Sequence, residues 1–118
     1  MYHFRYDPKG AKTLPYYDKF PLIFMVGPAA GGFYGINLHY LPPQLRAKLM
    51  DSLYDITNSA SKYKFFKPTF KHYLSSQVKS EFIEINSTEW DTALFLPTER
   101  FEKARKSKVF ADSRRMLK

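Results

Sequence analysis

The sequence predicts an α+β fold: a small antiparallel sheet or partly open barrel, covered by one long and one or two short helices. Three observations predict it. Several short stretches have strand length and strand patterning, one longer segment carries leucines at helical spacing, and proline or glycine clusters separate them. No repeat or heptad run argues for a solenoid or coiled coil. At 118 residues, with 44% hydrophobic and 18% aromatic residues, the chain suits one core and is too apolar to stay disordered. The expected organisation is one compact domain over residues 1–104 and a basic C-terminal tail over 105–118.

Tyr2, Phe4 and Tyr6 alternate with His3 and Arg5, a half-buried strand pattern that Asp7-Pro8-Lys9-Gly10 ends with turn chemistry. Leu14 to Pro21 holds two prolines and three aromatics, so it reads as an extended segment held by its rings. Leu22 to Val26 and Phe33 to Leu41 read as two strands, the second with Tyr34, Ile36, Leu38 and Tyr40 on one face. The six residues Gly27 to Gly32 form the expected hairpin loop, because glycine tolerates positive φ.

Pro42-Pro43 stops that strand and opens a helix over 43–57, with Leu45, Leu49, Leu53 and Ile56 inward and Arg46, Lys48, Asp51 and Asp55 on other faces. Asn58 to Ser61 reads as its end, and a second helix is expected from Thr69. Glu81 to Ile85 reads as a strand, Asn86 to Asp91 as a helical turn and Ala93 to Leu96 as another strand. Thr98 is placed to cap a last helix with Phe101 and Ala104 inward.

Several function classes lack support. The chain has no cysteine, hence no disulfide, thiol nucleophile or thiolate metal site. Its longest apolar run, Leu22 to Val26, is far below the roughly 18 to 20 residues that span a bilayer, so no membrane partner is expected. The N-terminal residues carry tyrosines and charges where an export signal needs an apolar stretch. The three histidines lack ligand spacing, so no metal or cofactor is expected, and His39 reads as a hydrogen-bonding histidine beside Asn37. The glycine loop lacks a Lys-Ser or Lys-Thr continuation and precedes a strand, against a phosphate cradle. Glu81, Glu84, Glu89 and Asp91 read as an acidic edge, no nucleophile motif is present, and the expectation is a non-enzyme.

The formal charge of +8 favours a polyanionic or acidic partner. Its bases fall in two zones. Lys62, Lys64, Lys67 and Lys71 are interleaved with Tyr63, Phe65, Phe66, Phe70 and Tyr73, a mixture suited to phosphate contacts and base stacking. The C-terminal zone carries Arg105, Arg114 and Arg115. With Tyr16, Tyr17 and Phe20 of the aromatic segment, these arginines are the candidate partner-binding residues, because tyrosine and arginine combine contact area with a polar end.

The stretches Leu14 to Leu22, Gly32 to Pro42, Arg46 to Leu49, Phe95 to Glu99 and Asp112 to Arg115 together resemble a small uncharacterised family of contractile-tailed bacteriophages. The resemblance implies a virion or assembly component, present in the host cytoplasm during assembly, with other phage structural proteins as partners in a symmetric oligomeric assembly. It carries over no functional residue. Two readings follow. The first is a structural adaptor of neck, baseplate or head-completion type; the alternative is a nucleic-acid-binding protein that coats or protects phage DNA ends.

Overall fold

The apolar run at residue 22 builds the centre of the sheet. In a computed structural model, which describes residues 1–54 and 59–117 with the side chains of 54 and 59–63 excepted, β3 (Leu22–Ala29) pairs with β4 (Gly32–Asn37). Pairing reaches Ala29 and Gly32, so the expected six-residue loop is instead a two-residue turn, Ala30-Gly31, with Gly31 at φ 73°. β1 (Tyr2–His3), β5 (Phe70–Leu74) and β6 (Ile83–Glu84) complete a five-stranded antiparallel sheet in the order β5-β4-β3-β1-β6. A Cβ on Gly32 would stand 1.9 Å from the Tyr73 carbonyl oxygen, so the close approach of β4 to β5 requires glycine there.

A second pair, β2 (Tyr17–Asp18) with β7 (Phe101–Glu102), ties the aromatic segment to the chain's last third. The described helices are α1 (Pro43–Tyr54), α2 (Ser59–Thr69), α3 (Trp90–Phe95) and α4 (Lys106–Met116). The architecture is the expected α+β class, and among the described residues neither sheet closes into a barrel.

Strand alternation sends side chains to two cores. Leu22, Ile36 and Leu38 meet Leu49, Phe65 and Leu94 on the helical side. On the other side Phe4, Tyr6, Ile23, Phe33 and Tyr73 form an aromatic core, with Phe4 and Tyr6 edge-on to Tyr73 at 5.5 and 5.0 Å.

Local expectations fail where a tertiary contact outweighs the local pattern. The first strand is regular only at Tyr2–His3, and Tyr6 makes an isolated bridge to Val78. β4 stops at Asn37 because its side-chain oxygen accepts the His39 N–H at 3.0 Å, opening a 3-10 turn over Leu38–Tyr40. The second helix ends at Thr69, where it was expected to begin. Pro68 lacks an N–H for the ladder, Thr69 donates its hydroxyl back to the Phe65 carbonyl at 2.7 Å, and Phe70 then enters β5. Ser59 to Ser61 belong to α2, whereas Ile56 and Asn58 lie outside the described residues.

Ala93 to Leu96 is no strand. Ala93 to Phe95 lie in α3, which the Trp90 indole pins by donating to the Ile85 carbonyl at 2.8 Å and standing edge-on to Phe24. Nor does Thr98 cap a helix: Phe101 pairs in β7 and the last helix starts at Lys106. Arg46, expected on a polar face, is fully buried, for a reason that lies in its partners.

Candidate nucleic-acid interface

The β2–β7 pairing sets Pro15 and Tyr16, just before β2, beside the residues that lead from β7 into α4. Lys103, at φ 73°, donates its ammonium to the Leu14 carbonyl at 2.9 Å, and Tyr16 donates its hydroxyl to Asp112 of α4 at 3.1 Å. With Val109 and Ser113 buried, the segment expected as a basic tail is a docked helix from Lys106 to Met116.

Between helix and aromatic segment runs a groove of about 860 Å3, lined by Tyr16, Lys103, Arg105, Lys108 and Arg115, with Asp112 its one lining carboxylate among the described residues. Lys108 pairs with Asp112 at 2.9 Å and Arg115 also pairs with it. The Lys108 hydrogen bond, helped by Tyr16 and the charge of Arg115, holds the Asp112 carboxyl below its usual range. Among the described residues, Lys103 and Arg105 form no ion pair. The groove is therefore net basic, walled on one side by a tyrosine ring.

Sharing Pro15, Tyr16 and Met116 with the groove, a smaller cavity of about 350 Å3 reaches inward to Tyr40, Tyr73 and Lys71. Its floor is polar and saturated. Asp18 accepts from Asn37 at 3.0 Å and from His39 Nδ1 at 2.7 Å through one oxygen, and from the Phe20 and Arg100 backbone N–H groups at 3.1 and 3.3 Å through the other. Burial would raise its pKa, but the hydrogen bond and charge of His39, followed by Asn37 and Phe20, bring it below the ordinary value. A carboxylate only accepts, so in the neutral ring Nδ1 carries the proton and Nε2 accepts the Thr98 hydroxyl at 2.7 Å. This Asp18-His39-Thr98 line has the order of a nucleophile relay. With His39 fully buried, what it does in the fold is clamp β2, the end of β4 and the segment before β7 together.

Of the candidate partner residues, Tyr16, Arg105 and Arg115 come together in the groove. Tyr17 lines the inner cavity, Arg114 is exposed on α4 outside the groove lining, and Phe20 is half-buried, edge-on to His3 at 6.3 Å. Of the candidate nucleic-acid lysines, Lys64 and Lys67 are exposed three residues apart on α2, and the Lys62 side chain lies outside the described residues. Lys71 leaves that stripe for the inner cavity. The rings interleaved with these lysines also divide: Phe65 and Tyr73 are core, while Phe70 is exposed and stacks on Tyr34 at 5.1 Å.

Sequence reasoning passed over Lys103, and it took Lys108 only as part of a basic arm over Arg105 to Lys108 and not as a site residue of its own. The spacing of Lys108 to Asp112 was a visible i to i+4 signal, whereas nothing local marks Lys103.

Residues 1–116 match a family model described as phage T4 terminal DNA protecting protein. The chain belongs to that family. No curated protein and no solved structure matches the chain. The likeness to a tailed-phage family is thus borne out over nearly the whole length. The description of the terminal DNA protecting family agrees with the alternative reading, protection of DNA ends, and gives tail, baseplate or neck adaptors no support. No helix among the described residues is long and apolar enough to cross a membrane.

Proposed function

We propose that this protein binds the ends of linear phage DNA and shields them without altering the DNA chemically. The observation that carries the reading is the groove in which Lys103, Arg105, Lys108 and Arg115 face one space, with Asp112 the sole lining carboxylate among the described residues. Family membership supplies the ligand class. Cations converging on one groove contact a phosphate backbone and release counterions, and Tyr16 offers a ring against which an unstacked terminal base can lie. Lys64 and Lys67 are further exposed bases, on α2.

Binding to linear and covalently closed duplexes of equal length, followed across a salt series, tests the reading, with exonuclease protection as a second readout. Linear DNA is expected to bind more tightly and to resist digestion. The log–log salt slope is expected near −4, from about 0.9 per phosphate neutralised. Equal affinity for linear and closed DNA, with no protection, would overturn it.

A second reading, contact with a neighbouring protein in the particle, is favoured by a different surface. Phe82 and Ile83 at the β6 edge and Phe95 and Leu96 at the end of α3 are large, apolar and exposed, Ile83 at 63%. Mass spectrometry of purified particles should then find the protein at a fixed copy number, and its absence from particles would remove this reading.

A further inference from the structure

Lys71 is the charge that backbone binding in the groove does not use. It stands on β5 opposite Gly35, on the aromatic side of the sheet, with its ammonium 3.9 Å from the centroid of the Tyr40 ring. Among the described residues it forms no ion pair. Asp18 lines the same cavity and its charge favours the ammonium, but it makes no ion pair with Lys71: both carboxylate oxygens are taken by four donors, and the side chain is 1% exposed. Burial pulls the Lys71 pKa down to about 8 against the opposing charge of Asp18.

An ammonium drawn out of water without an ion-pair partner is a cost that a purely structural position avoids. At a cavity wall it is the signature of a site awaiting an anion. The cavity narrows the choice of anion. Its volume of about 350 Å3 lies at the small end of the roughly 300 to 1,000 Å3 range of small-ligand sites, so it suits one nucleotide and not a run of them. Its walls are tyrosine rings, which suit a base or sugar, and its rim shares Tyr16 with the basic groove.

We infer that this cavity receives the terminal nucleotide of a DNA strand, with a terminal phosphomonoester against the Lys71 ammonium and the nucleoside against the tyrosine rings. The inference rests on the DNA-end reading and deepens it. A terminal monoester carries about −1.5 to −2 near neutral pH, more than an internal diester, and so is the better partner for an unpaired ammonium.

The test uses short duplexes with 5′-phosphate, 3′-phosphate or hydroxyl ends and a closed circle, against the wild type, Lys71→Gln and Lys71→Arg. Wild-type protein is expected to bind one phosphorylated end about tenfold more tightly than the hydroxyl end, the scale of one charge-assisted hydrogen bond. Lys71→Gln should erase that difference while still preferring hydroxyl-ended linear DNA to the circle, and Lys71→Arg should keep part of it. Whether the 5′ or 3′ phosphate is preferred identifies the terminus. Equal wild-type affinity for phosphorylated and hydroxyl ends, or a preference surviving in Lys71→Gln, overturns this inference and leaves the DNA-end reading standing. Equal affinity for every linear end and the circle overturns the DNA-end reading itself. A measurement independent of variant folding is acetylation of Lys71 in the wild type, read by mass spectrometry. A mononucleotide should protect Lys71 where the matching nucleoside does not, and equal labelling would count against the site.

Discussion

Arg46 and Lys71 are both basic side chains withdrawn from water, and the molecule treats them in opposite ways. Arg46 donates from Nε to the Leu38 and Leu41 carbonyls at 2.8 and 2.6 Å, and from its terminal nitrogens to the carbonyls of Leu94 and His39 and to Glu99. Its charge is answered by Glu99 at 3.1 Å, and its donors satisfy carbonyls where the 3-10 turn enters α1 and where α3 ends. Lys71 has a tyrosine ring and a shared cavity. A saturated buried charge holds a fold together; an unsaturated one at a cavity wall is poised for something outside the chain.

The sharpest way to break this contrast is Arg46→Leu, which leaves several carbonyls without a donor and Glu99 with the exposed Lys106 at 3.4 Å in place of its buried partner. Removing one partner of a buried pair costs about 3 to 5 kcal/mol, so urea denaturation should show a loss of that size. A loss below about 1 kcal/mol would mean the cage is dispensable.

Asp18→Asn tests the saturated anion. Its folded-state pKa lies below the ordinary 3.8, so its contribution is full above that value and is lost as pH falls through the folded-state pKa. The variant should be about 2 kcal/mol less stable at neutral pH, the scale of hydrogen bonds to a charged group. Unfolding curves from neutral pH to below 3 should show the difference shrinking on acidification, and a constant gap would contradict the assignment.

Lys71→Met should act in the reverse sense and stabilise the free protein, by about 1 kcal/mol, because it removes a desolvated charge that has no ion pair. The groups facing Lys71 are Asp18, Tyr6, Tyr16, Tyr17, Tyr40 and Tyr73, with His72 beside it. Burial raises Tyr6, Tyr16, Tyr40 and Tyr73 above their usual value, and Asp18 is held low. With a folded-state pKa of about 8 against 10.5, the unfolded chain binds more protons between those values, so wild-type stability should rise with pH there and approach the variant's. Thermal melts from pH 7 to 10 read this directly, and a flat difference would break the argument.

The smallest effect on stability belongs to Arg105→Ala, the exposed counterpart of both. It should move stability by less than about 0.5 kcal/mol, as for ordinary surface changes. On linear DNA it should weaken binding and lower the salt slope by about 1. An unchanged slope would take Arg105 out of the groove's phosphate contacts.

What the sequence determined by itself was whatever depends on near neighbours. Leu45, Leu49 and Leu53 recur at helical spacing and do line the inner side of α1, and the apolar run from Leu22 does found the central strand. Phe70 to Leu74 was legible in principle too, since Phe70 and His72 are exposed while Tyr73 is buried, but a helix was expected from Thr69, where Pro68 helps to close one. The tertiary structure decided what depends on pairs far apart in the chain. Nothing near Arg46 announces the Leu94 carbonyl or Glu99, nothing near Asp18 announces His39, and nothing near Tyr16 announces Asp112. A side chain's local pattern sets which way it points, whereas the value of a charge depends on the donors, acceptors and dielectric that distant segments bring to it. For that reason strands and helices could be read along the chain, while the groove and the lone ammonium emerge only once β2 meets β7 and α4 docks.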